Sequence, residues 1–159
     1  MDEKALRSIV NTVVQQVKGP QDMTLDCALA LTKKVKAKAE EMGVKAVVAV
    51  SNRAARPVLV ECMDDSYIAS YDIALQKAFT VVSLKMSTST LKTLAQPGGS
   101  LYGIQFTNEG HLVIFGGGEP LTDSAGNIIG GLGVSGGSEE QDIALAAYGK
   151  EIFEKGNLL

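Results

Sequence analysis

Between Phe115 and Asp142 the chain reads FGGGEPLTDSAGNIIGGLGVSGGSEEQD, and nine of its seventeen glycines fall between Gly116 and Gly137. A segment so poor in Cβ atoms can cradle a phosphate, carry a dinucleotide fingerprint, or let backbones approach where side chains would collide. Gly131-Leu132-Gly133-Val134-Ser135-Gly136 does spell G-x-G-x-x-G ahead of a helical pattern. A dinucleotide fold, however, sets that motif inside a βαβ unit with an acidic residue about 20 positions on. Only 23 residues follow Gly136, and they read as one helix, so no second strand fits. A phosphate loop of the Walker type fails too, because no Gly-Lys-Ser or Gly-Lys-Thr follows the glycines. What remains is backbone shaping, in two versions. Gly116 to Gly118, Gly130, Gly131 and Gly133 either allow tight sheet-to-helix packing or form the wall of a pocket for a flat, anionic cofactor. In the second version the amides of Ser135 to Ser138, at a helix start, receive a carboxylate.

The rest of the pattern supplies the elements around this segment. TLDCALALTKKVKAKAEEMG places Leu25, Ala28, Leu29, Val35, Ala39 and Met42 on one helical face and stops at Gly43. Two strands, about 44–50 and 57–63, flank a polar turn containing Arg53 and Arg56. SYDIALQKAFTVVSLKM has helical spacing through Ile73, Ala74, Ala78, Val81 and Val82. LYGIQF and HLVIF read as strands around TNEG, and NIIGGLGVS as another. A last helix begins at Ser138, where Ser138 and Gln141 form a capping-box pattern, and runs through Phe153. Hairpins with helices between them give an α+β class, an antiparallel sheet with helices packed on it.

Composition narrows the function classes. Of 159 residues 45% are hydrophobic and 21% charged, with a net charge of -3 and no long basic run, which argues against nucleic acid as a partner. With no Trp and 5% aromatics there is no base-stacking platform. Apolar runs fall short of a membrane span, and MDEKALRSIV lacks a signal-peptide core, so a cytoplasmic protein is expected. Cys27 and Cys62 match no metal-ligand spacing and read as buried free thiols. No metal site is expected.

The opening segment stands apart. Ala5, Leu6, Ile9, Val10, Val13, Val14 and Val17 form one helical stripe, Asp2 suits the cap, and Gly19-Pro20 stops the helix. A helix of about 16 residues is marginal alone and must dock, either on its own domain or on another protein. The segment resembles the N-terminal encapsulation peptides of bacterial microcompartment cargo. That resemblance implies shell or cargo proteins as partners of residues 1–19 and a location inside a microcompartment. The organisation expected is a helix at 1–19, a linker at 20–23 and an α+β domain at 24–159.

CMDDSYIASYDIALQKAFTVVSLKMST (Cys62–Thr88) and GGGEPLTDSAGNIIGGLGVSGGSEEQDIALAAYG (Gly116–Gly149) resemble the GlcG/HbpS-like haem-binding family. That family includes the C-terminal domain of propanediol-utilisation corrinoid adenosyltransferases. The resemblance spans about Thr24 to Gly149. It implies a five-stranded antiparallel sheet flanked by helices, profilin-like in outline, assembly into homo-oligomers, and a non-enzymatic binding role for haem or another tetrapyrrole. A corrinoid-handling enzyme, or an accessory to a corrinoid adenosyltransferase, is the alternative, and a subunit binding only protein partners is a third. Two departures bear on haem. Cys62-Met63-Asp64-Asp65 replaces an Arg-Met-Asp-Gly, and residues 24–42 hold no histidine.

Eight residues are the candidate cofactor contacts. Gly117, Gly118, Glu119 and Pro120 lie in the glycine hairpin. Lys77, on the central helix among apolar neighbours, is a snorkelling side chain or a partner for Glu119 or a ligand carboxylate. Met63 is core or a soft ring contact, and His111, the single histidine, is an exposed hairpin residue or an axial ligand. Asp142, in the first turn of the last helix, suits the helix dipole. No catalytic residue is assigned.

Overall fold

The computed structural model describes residues 2–18 and 21–158; the expected helix stop at Gly19-Pro20 lies outside the described residues. Along the chain come α1 (Glu3–Lys18), α2 (Leu25–Glu41), β1 (Val47–Asn52), β2 (Pro57–Cys62), α3 (Ile68–Ser83), α4 (Thr88–Leu94), β3 (Gly118–Thr122), β4 (Ile128–Ser135) and α5 (Glu139–Glu154). The strands make one antiparallel sheet in the order β2-β1-β4-β3. Thr24 caps α2, its side chain accepting from the Cys27 N–H, and Gly43 follows its end at φ +69°. The capping box of α5 forms as the sequence implies: the Ser138 hydroxyl accepts from the Gln141 N–H and the Gln141 side chain from the Ser138 N–H.

The alternation of strand residues splits the core into two layers. Val48, Val50, Leu121, Leu132 and Val134 pack with Leu31 and Val35 of α2 and Leu145 of α5. On the other face Val47 and Ala49 meet Ala74 and Ala78 of α3. Here the glycines act. A Cβ on Gly133 would sit 2.0 Å from the Ala74 carbonyl oxygen, and one on Gly131 2.5 Å from that of Ala78. With alanines on the helix and glycines on β4, helix backbone lies directly on strand backbone. The Ser51 hydroxyl donates to the Ala78 carbonyl at 2.9 Å, and those of Ser135 and Ser70 meet at 3.0 Å. Of the two versions of backbone shaping, Gly131 and Gly133 serve tight packing.

Two expectations need correction, and one open alternative narrows. The sheet has four strands, not five. LYGIQF and HLVIF do not pair: Ile104–Phe106 and Asn108–Gly110 are 3-10 turns, with Asn108, Glu109 and Gly110 all at positive φ. Extended pairing cannot pass through three such residues. The following segment runs instead along α3, where the Val113 N–H donates to Thr80 Oγ1 at 3.0 Å, and Gly118–Thr122 becomes the edge strand. Second, of the two dockings left open for α1, packing on its own domain is the one its stripe does not make: Leu6, Ile9, Val10, Val13 and Val14 are 40–51% exposed. Third, the cysteines are not both buried; Cys27 is half-buried and Cys62 exposed.

Substituting Gly133→Ala should cost about 3 kcal/mol in urea unfolding, because helix and strand backbones must separate to admit the methyl group. Gly126→Ala, at a turn with open space and φ +84°, should cost about 1 kcal/mol from backbone strain alone.

Candidate functional site

Helical spacing puts Lys77 on the same face of α3 as Ala74, Ala78 and Val81, which commits it to the sheet. Its side chain is fully buried, and Nζ donates to the Val134 carbonyl at 2.7 Å and to Asp142 Oδ2 at 3.0 Å. The ammonium also stands 5.0 Å from the centroid of the Phe115 ring. Asp142, buried in the first turn of α5, accepts the Gly137 N–H on its other oxygen at 3.0 Å. Gly117, at φ +108°, closes the space: a Cβ there would lie 2.7 Å from Lys77 Nζ. Burial pushes the Lys77 ammonium below its usual 10.5, opposed by the charge and hydrogen bond of Asp142. At the same corner Glu139 accepts the Gly116 N–H at 2.8 Å and pairs with Lys92 at 2.5 Å. That backbone bond, then Lys92, holds its carboxyl below the usual range.

A cavity of about 340 Å³ opens above this pair. Tyr67, Ile73 and Phe115 form its apolar wall, the buried Ser70 and Ser135 hydroxyls line it, and Glu139 and Asp142 border it. Two hydroxyls sharing one hydrogen bond keep one proton to offer to a ligand oxygen. The volume is at the small end of ligand clefts, which run from about 300 to 1,000 Å³. A second cavity, of about 310 Å³, lies between β3 and α5, lined by Glu119, Lys150 and Glu154 among others. Lys150 donates to the Pro120 carbonyl at 2.8 Å and pairs with Glu154 at 2.9 Å. Desolvation pushes the half-buried Glu119 carboxyl above its usual value, with Lys150 opposing.

The eight candidate contacts do not converge. Lys77, Asp142 and Gly117 lie together beside the first cavity, and Glu119 and Pro120 belong to the second. Gly118 is packed under α3 and donates its N–H to Thr88 Oγ1 at 2.9 Å. Met63 packs on the core shared by α2 and α5, its sulfur 3.3 Å from the Ala46 N–H. His111 is exposed after a 3-10 turn, edge-on to Phe79 at 6.0 Å, and not in a hairpin. Lys77 does not snorkel and its partner is Asp142, not Glu119. The carboxylate received at the start of α5 is the chain's own. Sequence reasoning missed Tyr67, Phe115 and Ser70 and named Ser135 only for its backbone amide; polar residues at the inward positions 70 and 135 were the signal that could have found the two hydroxyls. Among the described residues no group of three His, Cys, Asp or Glu is placed to hold a metal ion, and no helix is long and apolar enough to cross a membrane.

The sequence matches the family described as haem degrading protein HbpS-like over residues 23–151. It is 41% identical over 133 residues to a 15.0 kDa protein of the dhaT-dhaS intergenic region of Citrobacter freundii, covering 84% of this chain and 93% of that protein. It is 38% identical over 116 residues to the corrinoid adenosyltransferase PduO of the same organism, covering 73% of this chain but only 34% of that enzyme. Among solved structures, that of a PduOC–haem complex superposes with a TM-score of 0.78 at 34% identity, over 82% of this chain and 94% of the other.

Truncation by Asp142→Ala leaves the Lys77 ammonium buried without its counter-charge and should cost about 3–5 kcal/mol. The pH dependence has a definite sign. With the folded Lys77 value below the unfolded 10.5, the unfolded chain holds more protons between the two, so stability should rise with pH across that window. Lys77→Met should remove this alkaline rise in a series of urea melts.

Proposed function

The chain belongs to the HbpS-like family, and we propose that it is a non-enzymatic binding protein for a tetrapyrrole, with the cavity beside Tyr67, Ile73 and Phe115 as the ring's seat. The observation carrying this reading is an apolar wall beside free hydroxyl capacity, open at one side, in a fold shared with a haem-bound relative. At about 340 Å³ the cavity takes one edge of the macrocycle and leaves the rest outside. Haem fits the donor set through the Tyr67 phenol, an oxygen type able to ligate haem iron. The iron would supply redox chemistry when bound; the chain's own residues seat the ring and shield one edge from water. Lys92, half-exposed and paired with Glu139, is the cation able to turn to a ring carboxylate. Titrating haem into the full chain should give a saturable Soret shift at one site per protomer. Phe115→Glu and Ile73→Glu should each weaken it at least tenfold without lowering the thermal midpoint by more than a few degrees. Binding indifferent to both would move the ring elsewhere, and progressive loss of the Soret band with a reductant and oxygen would assign degradation. A corrinoid titrated in parallel tests the ring suggested by PduO, of which this chain spans about a third.

The same proposal places the protein in a microcompartment, carried there by α1. Its stripe of Leu6, Ile9, Val10 and Val13 is left uncovered by the chain's own core, as a docking helix requires. Leu6→Asp with Val13→Asp should abolish entry of a fused fluorescent reporter into shells while leaving the thermal midpoint of the protein unchanged. Entry at the unmodified level would reject the targeting role.

A further inference from the structure

The polar groups of the Tyr67 cavity do not suit a carboxylate. Its charged lining side chains are Glu139 and Asp142, both acids. Lys77 is fully buried, with Nζ committed to the Val134 carbonyl and Asp142 Oδ2 and the Phe115 ring 5.0 Å away. Lys92 is not part of the lining and meets the rim through Glu139. A ligand carboxylate entering here therefore encounters two like charges ahead of either cation. In a half-enclosed site that repulsion is screened less than at an open surface.

The hydrogen-bonding capacity left over is of two kinds. An ionised carboxylate has about four lone-pair sites. Glu139 uses Oε1 for the Gly116 N–H and Oε2 for Lys92. Asp142 uses Oδ1 for the Gly137 N–H and Oδ2 for Lys77. Each keeps room to accept a further donor. The buried Ser70 and Ser135 hydroxyls share one hydrogen bond between them, which leaves one proton to give. The cavity thus asks for a group that donates to carboxylates and accepts from a hydroxyl.

We propose that this cavity recognises a primary carboxamide on the rim of its ligand, and so selects an amide-bearing tetrapyrrole over one bearing free carboxylates. The assignment rests on the seat proposed above and adds the chemical group that enters it. The amide oxygen takes the spare serine proton, and its N–H groups donate to Glu139 and Asp142 in charge-assisted bonds. Being neutral, the amide leaves water at less cost than a carboxylate does, and Lys92 stays on Glu139. An ester supplies the acceptor alone, and a carboxylate supplies acceptors together with the wrong charge. Corrinoid rims carry primary amides whereas haem carries propionates, so the same contacts separate the two classes of ring.

Three forms of a single ring test this: haem, its dimethyl ester and its bis-amide, each titrated into the full chain and followed in the Soret band. The bis-amide should bind at least tenfold more tightly than either of the others. Glu139→Gln keeps an oxygen for the Gly116 N–H and removes the charge. It should shrink the lead of the bis-amide over haem severalfold while leaving the ester, which has no N–H to give, unchanged. Equal affinity for ester and bis-amide would show that charge alone discriminates and would overturn the assignment. Haem binding as tightly as the bis-amide would do the same, with the seat intact as long as Phe115→Glu still weakens every form. Binding indifferent to Phe115→Glu, or no saturable shift with any form, would reject the seat and the amide assignment together.

Discussion

Everything in this molecule is arranged around the contact of α3 with β4. Helix backbone touches strand backbone there because Gly131 and Gly133 face Ala74 and Ala78, and one buried cation, Lys77, pegs the end of the contact to α5 through Asp142. Close approach removes the volume in which apolar side chains would normally pack, so hydrogen bonds from Ser51 and between Ser135 and Ser70 join the layers. A buried ion pair adds little net stability but punishes the loss of either member, which makes it a device for fixing register. Here it fixes where the N-terminus of α5 meets the end of β4, and that meeting point is the rim of the cavity.

The same contact explains why Gly131 and Gly133 are not pocket wall, although Gly136 and Gly137 of the same segment line the cavity. Glycines that face a helix backbone at under 3 Å have no room for a ligand. Space appears one turn away, where α3 begins and Tyr67 and Ile73 diverge from the strand end at Ser135 and Gly136. Gly131 and Gly133 therefore shape the site indirectly, by setting how low α3 lies on the sheet.

How far the sequence foretold this depends on the range of the interaction. Helices, their caps and the hairpin of β1 with β2 follow from periodicity and turn chemistry, which are local. The capping box at Ser138 and the stop at Gly43 are of that kind. The segment after Leu101 misled because LYGIQF and HLVIF alternate like strands, while the backbone between them is bent by three residues at positive φ and tethered to Thr80, a tertiary contact. Helix α4 carries a Ser87 cap that the run of Ser and Thr obscured. Lys77 and Asp142 were legible as residues of interest, but their pairing spans 65 positions and no local pattern encodes it. Glu119 and Lys77 are separated by strand alternation: Gly118 faces α3, so the next residue must face α5.

The placement of Cys62 bears on the missing arginine. The family that the sequence resembles often has an Arg at this position, a candidate partner for a ring carboxylate. Cys62 lies on the edge strand β2, at the end of the sheet where Val47 joins it to the cavity-lining Ser135 two strands away. Among the described residues, the cations paired with the cavity's acidic rim are Lys77, locked to Asp142 and the Val134 carbonyl, and Lys92, shared with Glu139. A carboxylate-bearing ring seated as proposed would draw Lys92 away from Glu139, whose remaining bond to the Gly116 N–H would keep the rim in place. In that proposal ligand charge and the anchoring of α5 would be coupled through one surface lysine, with the buried pair of Lys77 and Asp142 outside the exchange.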